Sequence, residues 1–120
     1  MKRILVVDDE RAITDVLEDF LSWEGYEVLT ARSGSMALEQ LPEALPDLIL
    51  CDIMMPGMGG VELCRILQTD VTYREIPFVL MSAAGERVPP DRPQYAAFVA
   101  KPFNFPLLLS TISRLVGDES

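Results

Sequence analysis

Five polar side chains stand where apolar runs of strand length stop. Asp8 and Asp9 follow Ile4-Leu5-Val6-Val7, Asp52 follows Leu48-Ile49-Leu50-Cys51, Ser82 follows Phe78-Val79-Leu80-Met81, and Lys101 follows Phe98-Val99-Ala100. If these runs are neighbouring strands of one parallel sheet, their ends lie side by side and the three aspartates converge. Anions that close together either take up protons or hold a cation. An all-oxygen donor set without His or Cys selects a hard ion, and a small open site with room for water and phosphate oxygens favours Mg²⁺ over Ca²⁺. The sequence contains no histidine, which removes Ser-His-Asp and Cys-His catalysis, histidine general bases and histidine-ligated zinc. Chemistry is left to carboxylates, hydroxyls and lysine.

Each of these residues has an ordinary alternative. Asp8 and Asp9 could be helix-capping acids, Asp52 an unrelated loop aspartate, Lys101 a solvated charge and Ser82 a cap for the next segment. Lys101, however, is one of only two lysines and lies between an apolar strand and Pro102-Phe103. Its stem should lie against the sheet, with a fixed ammonium facing Asp52 and any phosphoryl group that Asp52 acquires. Ser82 could donate to a phosphoryl oxygen. Together the set is specific where its members are not.

The segments between these ends are the elements that must position them. After Asp9, residues Ile13, Val16, Leu17, Phe20 and Leu21 recur at helical spacing, and Gly25 ends that helix as a C′ residue would. Tyr26 to Ala31 reads as extended, and Ser33 as the N-cap of a helix burying Met36, Ala37 and Leu41. The run at 48–51 lacks alternation, as a central strand covered on both faces should. A loop rich in Gly and Pro, Met54 to Gly60, leads to a helix with Val61, Cys64 and Leu67 on one face, and Asn104 caps a last helix carrying Leu108, Ile112 and Leu115. Alternating strands and helices imply a parallel sheet with helices on both faces. The expected fold is α/β: a flavodoxin-like, doubly wound sheet of five parallel strands in the order 2-1-3-4-5. Ligands of such sheets bind at the C-terminal strand ends, where the five polar residues stand.

A chain of 120 residues, 49% of them hydrophobic, suits one compact domain that buries about two-thirds of its unfolded surface. Its net charge of −9 leaves no basic stripe for a nucleic-acid backbone, so no direct nucleic-acid binding is expected. No apolar stretch nears the ~20 residues of a membrane span, and the N-terminal run is too short for a secretory leader. A cytoplasmic location is the expectation. Cys51 and Cys64 have no partner at metal-ligand spacing and should be buried free thiols.

Taken together, Asp8-Asp9, Asp52-Ile53-Met54-Met55-Pro56-Gly57, Ser82-Ala83 and Phe98-Val99-Ala100-Lys101-Pro102-Phe103 resemble the receiver domains of two-component response regulators, over Arg3 to Val116. The resemblance implies a single receiver domain over residues 1–120 with no output domain. It implies that Asp52 is the phosphoacceptor, taking its phosphoryl group from the phosphohistidine of a histidine kinase or histidine phosphotransfer protein. Mg²⁺ would be held by Asp9, Asp52 and the backbone carbonyl of Met54, with Asp8 acting partly through a bound water. Lys101 would bind phosphoryl oxygens, and Ser82 and Phe98 would be the switch pair. Such a domain catalyses its own phosphorylation and dephosphorylation, regulates a downstream protein and has no independent metabolic activity.

The chemistry agrees with that resemblance. Phosphoryl transfer spreads charge over three equatorial oxygens, so catalysis is mostly positioning and cationic stabilisation. A metal ion, Lys101, and Ser82 with a backbone N–H can each take one oxygen, and Asp52 is the carboxylate central to them. Ala83 is small, as close approach to the phosphoryl group requires. The absence of histidine fits a recipient whose donor belongs to another protein. When Ser82 moves toward the phosphoryl group, the space it leaves can be filled by an aromatic, and Phe98 is either that aromatic or simply a core residue.

Between Ser82 and Lys101 the sequence departs from the family. Gly85, Pro89, Pro90 and Pro93 disfavour a continuous helix, because each interior proline costs about 3 kcal/mol. A shortened or irregular segment is expected from Gly85 to Gln94, and with it a monomer or weak dimer. The Lys101-Pro102 bond is expected to be cis, since a tight turn must aim the lysine inward. Two other functions compete. A Mg²⁺-dependent aspartyl-phosphate phosphohydrolase needs a second acid two residues after its nucleophile, where this chain has Met54. A receiver-like interaction module that is never phosphorylated has no need of an intact acid set with Lys101.

Overall fold

The computed structural model describes residues 1–83 and 95–117. Five strands, β1 (Arg3–Val7), β2 (Glu27–Ala31), β3 (Leu48–Asp52), β4 (Phe78–Ser82) and β5 (Ala97–Ala100), form one parallel sheet in the order β2-β1-β3-β4-β5. Four helices complete the described fold: α1 (Arg11–Trp23), α2 (Gly34–Ala44), α3 (Gly60–Gln68) and α4 (Phe105–Val116). The expected architecture and strand order are those observed. The irregular segment expected over residues 85–94 lies outside the described residues.

Side chains alternate across a strand, and this period divides the core in two. Leu5, Val7, Ile49, Cys51, Phe78 and Leu80 face α2 and α3, where they meet Leu41, Leu63 and Leu67. Ile4, Val6, Leu48, Leu50, Val79 and Met81 face the other way, against Leu17 and Leu21 of α1 and Leu108, Ile112 and Val116 of α4. Every residue of β3 is buried, which explains its unbroken apolar run.

Local chemistry sets the helix ends. Ser33 Oγ accepts from the Met36 N–H at 3.0 Å and Asn104 Oδ1 from the Leu107 N–H at 3.1 Å, the two caps read from sequence. Gly25, just past α1, has φ +97°, a left-handed conformation that reverses the chain into β2 and that side chains disfavour. Two expected core residues face solvent instead: Val16 is 46% exposed and Met36 43% exposed. In both helices the apolar stripe is wider than the face that touches the sheet. The Lys101-Pro102 bond is cis, as expected.

Candidate functional site

Sheet register assembles the site. Val7 pairs with Cys51, so Asp8, the next residue, emerges beside Asp52; Asp52 pairs with Met81 and Ser82 with Ala100, so Lys101 follows on the same edge. Asp8, Asp52 and Ser82 are buried, whereas Asp9 is exposed. One carboxylate oxygen from each of Asp8, Asp9 and Asp52 lies within 4.8 Å of the others.

Lys101 bridges this cluster. Its Nζ lies 2.9 Å from Asp8 Oδ2 and 3.0 Å from Asp52 Oδ1, with only 12% of the side chain exposed. Sequence reasoning pairs Lys101 with Asp52; the structure adds Asp8, which is fully buried and whose other oxygen accepts from the Glu10 N–H at 2.9 Å. Lys101 must cross β4 and β3 to reach the end of β1, which only a long side chain can do. Burial by itself would lower the Lys101 pKa, but hydrogen bonds to Asp8 and Asp52 and the charges of both outweigh it, so the ammonium is held above its ordinary value.

Among the described residues, three carboxylates against one ammonium leave two negative charges, the charge of a divalent cation. The donors are all oxygen, and Asp9 keeps one side open to solvent. These residues therefore fit a hard ion that retains water, as Mg²⁺ does.

Ser82 Oγ donates to the Ala83 carbonyl at 3.0 Å, and its own carbonyl accepts from the Lys101 N–H at 2.8 Å. Phe98 pairs in register with Leu80 and is 43% exposed, so it is not a core aromatic. It lies on an edge strand, 6.3 Å from the Tyr95 ring between centroids. Met54, two residues past Asp52, is 62% exposed, between buried Ile53 and Met55. Both cysteines are buried and neither is in a disulfide; burial pushes the Cys64 thiol up to about 11, and burial followed by the charge of Asp52 raises Cys51 well above its usual range. Sequence reasoning read Gly59 and Gly60 only as turn residues, although two glycines opening a helix are themselves a signal of close packing.

Strand order and a polar edge above the sheet define the molecule as a doubly wound α/β domain with its ligand site at the C-terminal strand ends. Within that class the chain belongs to the response regulator receiver domain family, whose model matches residues 4–113. It is 43% identical over 116 residues to the response regulator PleD of Caulobacter vibrioides, a match covering 94% of this chain and 26% of PleD. It is 32% identical over 120 residues to the polar-differentiation response regulator DivK of Brucella ovis, covering 98% of each. Among solved structures, the chemotaxis response regulator CheY4 of Vibrio cholerae superposes with a TM-score of 0.84 at 31% identity, covering 96% of this chain and 98% of that one. The signal receiver domain of a histidine kinase from Syntrophus aciditrophicus gives a TM-score of 0.90 at 31% identity, covering 98% and 92%. The chain thus spans about a quarter of PleD and nearly all of DivK. It is a receiver domain of the two-component type, and such domains work with histidine kinases and downstream effectors. Among the described residues no helix is long and apolar enough to cross a membrane.

Proposed function

We propose that this receiver domain takes a phosphoryl group onto Asp52 from the phosphohistidine of a histidine kinase or histidine phosphotransfer protein, in a Mg²⁺-dependent step. The observation that carries the reading is the Lys101 ammonium, 2.9 Å from Asp8 and 3.0 Å from Asp52, next to the exposed carboxylate of Asp9. A half-buried lysine held between two acids suits a site where new negative charge would develop.

In this reading an Asp52 oxygen attacks phosphorus as the bond from phosphorus to the donor's ring nitrogen breaks. The electron pair of that bond returns to the imidazole, and the product on this chain is an acyl phosphate. Lys101 exchanges part of its contact with Asp52 for a phosphoryl oxygen, so the charge arriving is met without reorganising solvent. Asp9, Asp52 and the Met54 carbonyl, with Asp8 through a water, would hold Mg²⁺, which supplies charge neutralisation at the phosphoryl oxygens. Ser82 gives up the Ala83 carbonyl and donates to the phosphoryl group. Phe98, with one side open, then repacks and passes the change to a downstream protein. The reading assigns the chain to the cytoplasm, as a monomer or weak dimer.

Intact-mass measurement after incubation with acetyl phosphate tests it. One phosphoryl group per chain is expected with Mg²⁺ present, none with Mg²⁺ chelated and none in Asp52→Asn. Unchanged labelling of the Asp52→Asn protein would sink the assignment, and steady turnover without labelled protein would indicate a phosphohydrolase.

A further inference from the structure

Gly59 and Gly60 sit at the start of α3 in backbone conformations open to any residue. Gly59 has φ −83° and ψ 178°, and Gly60 is helical. Within a helix glycine is weaker than alanine, so backbone freedom does not account for Gly60, the first helical residue after the N-cap Gly59. Space does. A Cβ at Gly60 would overlap the Asp52 carbonyl oxygen and lie 3.1 Å from both the Asp52 carbonyl carbon and Leu80 Cδ2; a Cβ at Gly59 would lie 2.6 Å from the Ile53 carbonyl oxygen. Most of these obstacles are backbone atoms, which cannot rotate away as the end of a side chain can.

The same peptides are held from other sides. Gly60 N–H donates to the Ile53 carbonyl at 3.0 Å, Ile53 N–H donates to the Met81 carbonyl at 2.9 Å, and Cys51 Sγ donates to the Asp52 carbonyl at 3.3 Å. The first turn of α3 therefore lies directly on the Asp52 and Ile53 carbonyls, while the Asp52 carboxylate meets Lys101.

We propose that Gly60, with Gly59 before it, is a positioning residue for phosphoryl transfer: the missing side chains let α3 press on the Asp52 main chain and fix where its carboxylate stands. The proposal rests on Asp52 being the phosphoacceptor. An alanine at Gly60 must push either the helix or the Asp52 main chain aside, so the reaction rate should fall even where the protein still folds.

The test compares wild type, Gly60→Ala, Gly59→Ala and Leu67→Ala, which loosens the other end of α3 without touching Asp52. Each is checked for folding by circular dichroism, then labelled with acetyl phosphate across donor and Mg²⁺ concentrations. At saturating donor, Gly60→Ala should label about ten- to a hundredfold more slowly, the scale of a misplaced reacting group, with KM for the donor little changed. Gly59→Ala should move the same way by less, and Leu67→Ala should stay within about twofold of wild type once the proteins are equally folded. A crystal structure of Gly60→Ala should show a longer Lys101 to Asp52 separation than 3.0 Å. Equal rates for folded Gly60→Ala and Leu67→Ala overturn the proposal; if Gly60→Ala does not fold, a folded Gly59→Ala labelling at the wild-type rate does so. Absence of labelling at Asp52 in wild type removes the phosphoacceptor reading, and the positioning role falls with it.

Discussion

β3 ends in a residue of the site and β5 leads directly into another, but they hold it in different ways. β3 lies at the centre of the sheet with all five residues buried, so Asp52 is placed by packing on both faces. β5 is an edge strand of four residues whose burial alternates, with Phe98 and Ala100 exposed. Lys101, the residue after it, is held by the Ser82 carbonyl at its N–H and by two carboxylates at its ammonium. The acid side of the site is thus fixed by shape and the cation side by charge. A strand with little packing is the inexpensive one to move, so a change of charge at Asp52 should be expressed at β5 before it is felt in β3.

Four measurements can break or sharpen this contrast. The largest effect belongs to Asp52→Asn, which should abolish acetyl phosphate labelling while leaving the far-UV circular dichroism unchanged. Lys101→Ala should slow labelling by about 10²–10³-fold, the scale of losing a charge that meets the transition state. It should also lower stability by about 3 kcal/mol in denaturant unfolding, because Asp8 and Asp52 remain buried without their cation. That deficit depends on pH in a defined sense. Lys101 is raised above 10.5, so its contribution is complete below that pH and is lost as pH climbs through the folded-state pKa. The deficit should be flat near neutrality and shrink in strong alkali.

Leu50→Ala and Phe98→Ala set the two strands against each other directly. Leu50 is fully buried and should cost about 3 kcal/mol, whereas half-exposed Phe98 should cost under about 1 kcal/mol; equal losses would erase the distinction between centre and edge. Metal acts on stability as well: Mg²⁺ at about a hundred times its Kd should add about 2.7 kcal/mol to unfolding. Calorimetry should find that gain reduced in Asp9→Asn at the same Mg²⁺ concentration.

Much of this arrangement was readable from the chain because residue type forced it. Aspartates ending apolar runs, Ser33 and Asn104 before helices, and an unbroken run at 48–51 each have one comfortable place in a parallel α/β sheet. Other features depend on which atoms meet across the fold. That Lys101 reaches Asp8 follows from the distance spanned over two intervening strands, which no local pattern contains. Val16 and Met36 satisfy helical periodicity yet miss the sheet, because periodicity fixes the direction of a stripe and not its width. Gly59 and Gly60 announce a turn, but only the folded chain brings the carbonyls beneath them. Phe98 looks like core until the strand carrying it is known to be the last in the sheet.

Asp8 and Lys101 are 93 positions apart in the chain, and that separation has a bearing on how the molecule forms. Pairing β1 with β3 gathers three aspartates at one edge while the ammonium that offsets them still belongs to an unformed strand. A half-built sheet therefore carries uncompensated repulsion, which is relieved when β5 docks and its lysine crosses to β1. The bond between Tyr26 and Ser113, 3.1 Å long and joining residues 87 positions apart, likewise ties the residue before β2 to α4. Long-range closures of this kind slow folding but discourage persistent fragments. The counter-charge thus makes completion of the sheet a condition for the stability of its own centre.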